Sequence, residues 1–104
     1  MADDPSLHAP HLIDLEVISV LRRRAAAGEV DERRVALALR DLEDLPIVRY
    51  PHVPIIARAW QLRHNLTPYD AAYVALAEAL DCVLVTSDRR LSSAAGIACA
   101  VEVF

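Results

Sequence analysis

Residues 66–88 read "LTPYDAAYVALAEALDCVLVTSD". The first part has the grammar of a helix start. Thr67 fits the N-cap, Pro68 the first helical position, where its missing N–H costs nothing, and Asp70 the third. The alanine-rich body that follows is helical in propensity. From Cys82 the pattern changes to a continuous apolar run, "CVLV", closed by the polar "TSD". Such a run predicts a strand over 82–86 covered on both faces. A helix that feeds a doubly buried strand points to a parallel sheet wrapped by helices.

The same alternation extends outward in both directions. "SLHA" at 6–9 reads as a short strand, and "PHLIDLEVISVLRRRAAA" as a helix closed by Gly28. Its apolar positions Leu12, Leu15, Ile18 or Ser19, and Leu21 predict the buried face. Asp31 opens a second helix that Pro46 stops, and "IVRY" at 47–50 is a strand. "PIIARAWQLRHNL" at 54–66 reads as one helix, "RRLSSAAG" as a short helix or turn, and "ACAVEVF" as a last strand. No repeat or linker interrupts the series, so the chain reads as one α/β domain over its 104 residues.

Composition narrows the chemistry. Hydrophobic residues make up 55% and aromatics 5%, so the core is aliphatic. The net charge of −4 and pI near 5.4 argue against a general polyanion binder. The chain contains no lysine, which excludes phosphate sites built on one, such as the P-loop, and a receiver-like signalling pocket. "MADDPSLHAP" is acidic without an apolar core and is not a secretory signal. Cys82 and Cys99 lie in apolar stretches and read as two buried, reduced thiols. The four histidines lack ligand spacing, and Ser87 has no histidine beside it for a nucleophilic triad.

The acids are more informative. In open α/β sheets ligands bind at the carboxyl ends of strands, where helices that follow strands begin. Asp88 lies just past strand 82–86, Asp70 in the first turn of the helix before it, and Glu16 in the second turn of the helix after strand 6–9. Topology therefore sends Glu16, Asp70 and Asp88 to one edge. Each also has a plain reading: Asp70 as a helix-start acid, Asp88 as a turn residue, Glu16 as an exposed helix residue. Asp3, Asp4, Asp31, Asp41, Glu43 and Asp44 read as solvated or capping acids. Clustered carboxylates repel one another, and a hard divalent cation, Mg²⁺ or Mn²⁺, is the usual neutraliser. Such a site suits hydrolysis of a phosphodiester. Arg22–Arg24 read as a solvated face. Arg89 and Arg90, beside Asp88, read equally as solvated or as phosphate contacts.

"PHLIDLEVISVLRRR" followed by "WQLRHNLTPYDAAYVALAEALDCVLVTSDRRL" resembles the PIN-domain ribonuclease toxins of the VapC type, over nearly the whole chain. The resemblance implies a three-layer α/β/α fold on a parallel sheet, with metal-bound Glu16, Asp70 and Asp88 and with Thr86 as a polar helper. It implies Mg²⁺ or Mn²⁺ as cofactor and transfer or ribosomal RNA as substrate. It also implies a cognate VapB-type antitoxin, frequent homodimerisation and a cytoplasmic setting. The chain departs from the family pattern at its start, where an apolar strand carrying a fourth aspartate is expected. Asp3 and Asp4 follow no apolar strand and do not replace it. The expectation is then a domain without its central strand, with flanking strands short of ladder partners. Two functions follow: a metal-dependent endoribonuclease, or an impaired module that binds its antitoxin or itself without cleaving RNA.

Overall fold

The computed structural model describes residues 7–103. The proposed strand residue Ser6, the acids Asp3 and Asp4, and the terminal Phe104 lie outside the described residues. The order of elements is β1 (Leu7–Pro10), α1 (Leu12–Ala26), α2 (Glu32–Asp44), β2 (Ile47–Tyr50), α3 (Ile56–Gln61), α4 (Pro68–Leu80), β3 (Leu84–Thr86) and β4 (Val101–Val103). Short 3₁₀ turns at Val53–Ile55 and Arg89–Ser93 complete it. Strands and helices alternate as the sequence predicts. The strands form two ladders, β1 with β2 and β3 with β4, and no strand of the described residues joins them. Described residues up to Arg49 form one compact unit, and those from Tyr50 onward form another.

In the first unit α1 and α2 pack together. Asp31 caps α2, its carboxylate accepting the Arg34 N–H at 2.9 Å. The half-buried face of α2 is Val35, Ala38, Leu39 and Leu42, a regular three-to-four spacing. Asp14 on α1 accepts a forked pair of bonds from Arg49 on β2, Nε at 2.8 Å to Oδ2 and Nη2 at 2.8 Å to Oδ1. Arg49 Nη2 also donates to the Leu42 carbonyl at 3.3 Å, so one guanidinium ties β2 to both helices. The buried face of α1 differs from the sequence reading. Leu12 and Leu21 are half-buried as expected, but Leu15 and Ile18 are exposed, and Ile13 and Val17 turn inward instead. The helix is apolar on nearly every side, so its sequence offers two competing stripes. The Asp14–Arg49 pair selects the stripe that runs through Asp14, Val17 and Leu21. Gly28 ends the helix at φ +75°, and the next N–H, of Glu29, returns to the Arg24 carbonyl at 2.9 Å. Arg23 and Arg24 occupy the last turn, where a cation favours the helix dipole, in keeping with their reading as a solvated face.

The second unit holds the larger core. Leu62, Leu66, Ala71, Val74, Ala77, Leu84 and Leu91 form one buried cluster, with Ala59, Tyr73, Ile97, Cys99 and Val101 packed against it. α4 is buried on several sides through Ala71, Ala72, Val74, Ala75, Leu76 and Ala77, which is why small residues dominate it. β3 and β4 pair in parallel, Leu84 opposite Val101, Val85 opposite Glu102 and Thr86 opposite Val103. Two expectations are corrected here. The helix predicted over 54–66 is a 3₁₀ turn followed by the six-residue α3, which ends at Gln61. Leu62 and Leu66 turn into the core there, and Asn65 leaves the helix so that its side-chain amide reaches the Ala95 carbonyl at 3.1 Å. β3 is covered on one face only: Leu84 is buried while Val83 and Val85 are exposed. An unbroken apolar run does not reveal whether its second face has a partner. Both cysteines are free thiols as expected, but they are half-buried and not buried, Cys99 packing at the margin of the core and Cys82 lying just past the end of α4. No helix of the described residues is long and apolar enough to cross a membrane.

Candidate functional site

α4 begins as its sequence dictates. Thr67 Oγ1 accepts the Asp70 N–H at 3.2 Å, and Pro68 follows as the first helical residue. The cap therefore uses the backbone of Asp70 and leaves its carboxylate uncommitted. Among the described residues that half-buried carboxylate accepts no hydrogen bond. The Asp70 charge is thus not required by the cap that explains its position.

Asp88 follows β3. Its N–H donates to Thr86 Oγ1 at 3.1 Å, a hydroxyl-closed turn that fixes the strand exit. Its Oδ1 accepts the Arg90 N–H at 3.0 Å and so caps the 3₁₀ turn Arg89–Ser93. The Arg90 guanidinium closes over the same carboxylate, Nε to Oδ1 at 3.0 Å and Nη2 to Oδ2 at 2.8 Å. Bonds from the Arg90 side chain first, and from its backbone N–H second, hold the Asp88 carboxyl below its ordinary range. Arg90 is in turn held in its charged form first by Asp88, and the charge of Asp70 adds to this. Asp70 and Asp88 lie in the same unit. Thr86 stands at the same strand end.

Glu16 lies on α1 in the other unit and is half-buried. Within neither unit, among the described residues, do three or more His, Cys, Asp or Glu side chains gather as a metal cage. The donor set nevertheless suits a hard divalent ion. Carboxylate and hydroxyl oxygens are what Mg²⁺ and Mn²⁺ take. Asp70 is an available anionic donor, and Asp88 already carries a cation, the guanidinium of Arg90, whose side chain is 89% exposed.

Two features escaped sequence reasoning. Asp14, beside Glu16 in sequence, is a structural ion-pair partner of Arg49. Glu78, within the alanine-rich helix, accepts Arg58 Nε at 2.6 Å and the Ala98 N–H at 2.7 Å. Both pairs join residues far apart in sequence without a local pattern to announce them.

A PIN domain model matches residues 1–97. Ribonuclease VapC1 of Mycobacterium tuberculosis is 50% identical over 96 residues, covering 91% of this chain and 72% of that protein. VapC ribonuclease Mb0985 of Mycobacterium bovis is 49% identical over 100 residues, covering 93% and 76%. Ribonuclease VapC3 of M. tuberculosis is 40% identical over 89 residues, covering 86% and 65%.

Proposed function

The chain belongs to the PIN-domain family, in its VapC group, and from that premise we propose that it is a divalent-metal-dependent endoribonuclease, the toxin of a toxin–antitoxin pair. The observation that carries the reading is the Asp70 carboxylate, half-buried and unbonded among the described residues. Its helix cap is complete without that charge.

In this reading Asp70 and Asp88 would hold Mg²⁺ or Mn²⁺, with Glu16 as the further carboxylate that the family resemblance implies. When bound, such an ion would supply Lewis acidity toward water and a phosphate oxygen. The chain's own residues set the geometry. Thr86 fixes the backbone of Asp88 through its hydroxyl, so the carboxylate leaves the strand in one direction. The backbone of Asp70 is held by the capped first turn of α4. Arg90, released from Asp88, presents a guanidinium to the RNA phosphate. The partners are an RNA of the transfer or ribosomal class, a cognate VapB-type antitoxin and a second copy of the chain, in the cytoplasm.

The test is cleavage of a mixed transfer and ribosomal RNA pool with Mg²⁺ or Mn²⁺ against EDTA, for the wild type and for Asp70→Asn. The expected result is metal-dependent cleavage that the variant loses while its helix cap persists, because the bonded group is a backbone N–H. Equal cleavage by the variant, or cleavage indifferent to EDTA, overturns the assignment.

A further inference from the structure

The C-terminal end of α3 carries the only tryptophan of the chain. Trp60 is 65% exposed. Its indole is also organised: the Arg63 guanidinium lies over the ring, 4.2 Å from the centroid, and Arg63 Nη1 donates to the Trp60 carbonyl at 3.0 Å. Folding alone explains this poorly. An exposed cation–π contact contributes about 0.5–1 kcal/mol, whereas most of this large apolar ring stays in water. The backbone beneath is rigid. Leu62 is 1% exposed and Leu66 is buried, the Leu66 N–H bonds the Leu62 carbonyl at 3.0 Å, and Asn65 is tied to Ala95.

Position supplies the function. α3 and α4 pack together and are joined by the short turn 62–67. The end of α3 and the beginning of α4 therefore lie at the same end of the pair. Trp60, Arg63, the exposed His64 and the exposed Tyr69 thus lead along this turn to Asp70. An exposed aromatic with a stacked arginine is the arrangement on which unpaired bases stack, because every base has a π-face and the guanidinium meets the phosphate.

We propose that Trp60, held by Arg63, is a stacking platform for a base of single-stranded RNA and positions the strand toward Asp70 and Asp88. The inference rests on the ribonuclease reading and adds two residues outside the carboxylates that seat the substrate. Trp60 and Arg63 are positioning residues. They bear on binding and on KM more than on the chemical step.

Because Trp60 is the only tryptophan, its intrinsic fluorescence reports on the platform without labels. An unstructured RNA of about a dozen nucleotides is titrated into the full chain in EDTA, with Trp emission and RNA anisotropy followed together. Metal-dependent cleavage by the same preparation is measured in parallel. Emission is expected to quench with the anisotropy midpoint. Trp60→Ala should weaken RNA binding about 5- to 150-fold, and Trp60→Phe should recover part of it. A duplex of the same sequence should quench far less. RNA binding with emission unmoved, or with unchanged affinity in Trp60→Ala, overturns the platform, while cleavage by the wild type leaves the ribonuclease reading standing. Emission that shifts with protein concentration before RNA is added places a second copy on the indole and also overturns it. Absence of both binding and cleavage removes the two readings together.

Discussion

Removing Arg58 should cost more than removing Glu78, although the two are one ion pair. Arg58 on α3 gives Nε and Nη2 to the Glu78 carboxylate at 2.6 and 3.0 Å, and Nη2 also meets the Gly96 carbonyl at 2.6 Å. Glu78 on α4 accepts the Ala98 N–H at 2.7 Å as well. The pair thus fastens α3, α4 and the segment leading to β4. The side chains are unequally sheltered, with Arg58 34% and Glu78 12% exposed. Glu78→Ala releases a guanidinium that water readily accepts and frees the N–H of an exposed Ala98. Its cost lies between that of a surface pair and that of a broken buried one, about 2 kcal/mol. Arg58→Ala strands a sheltered carboxylate on one remaining bond, so its cost rises to about 3 kcal/mol. A double-mutant cycle by urea denaturation at neutral pH should give a coupling of about 1–2 kcal/mol. Coupling below about 0.5 kcal/mol, or a larger cost for Glu78→Ala, would refute the reasoning by making the pair an ordinary surface contact. The pH dependence is a second reading of the same cycle. Hydrogen bonding by Arg58 foremost holds the Glu78 carboxyl below its ordinary 4.5. A depressed carboxyl contributes its stability above the unfolded value and loses it as pH falls through the lower folded one. The cost of Glu78→Ala should therefore shrink below pH 4.5 and not on the alkaline side.

Other outcomes follow from the same geometry. Thr67→Ala removes the acceptor of the α4 cap and should lower stability by about 1 kcal/mol, whereas Asp70→Asn should leave the urea midpoint nearly unchanged; a large shift for Asp70→Asn would return that carboxylate to a structural role. Arg90→Ala removes the cation that covers Asp88, so Mn²⁺ binding measured by calorimetry should tighten several-fold while RNA cleavage falls; weaker Mn²⁺ binding would show that Arg90 organises the carboxylate for the ion. Leu62→Ala empties a core position and should cost about 2–4 kcal/mol in the same denaturation assay; a loss under about 1 kcal/mol would mean the turn after α3 is not anchored there.

The sequence was most legible where local physics acts alone. β2 at Ile47–Tyr50 and the start of α4 lie where the strand run and the Thr-Pro cap put them, and Asp31 caps α2. It was less legible where a neighbour makes the choice. The stripe of α1 is selected by Arg49, from a distant strand, and the end of α3 by two leucines that the cluster draws in. The one-sided burial of β3 turns on whether a neighbour covers Val83 and Val85, which no run of residues encodes. Of the candidate residues, Asp70 gained most from the structure, because only coordinates separate a cap made by a backbone N–H from one made by a carboxylate. Asp88 fits its turn role and the nuclease role at once, and Arg90 is the residue that links them.

The turn between α3 and α4 has a kinetic meaning beyond its packing. Two leucines and one asparagine pin the turn between α3 and α4, and the helix ends that flank it carry the indole and the Asp70 carboxylate. Their separation is therefore settled during folding. A strand that meets this bracket finds the ordering entropy of the protein already spent, so it must give up little beyond its own freedom, and a base seated at one end brings a phosphate to the other at high effective concentration.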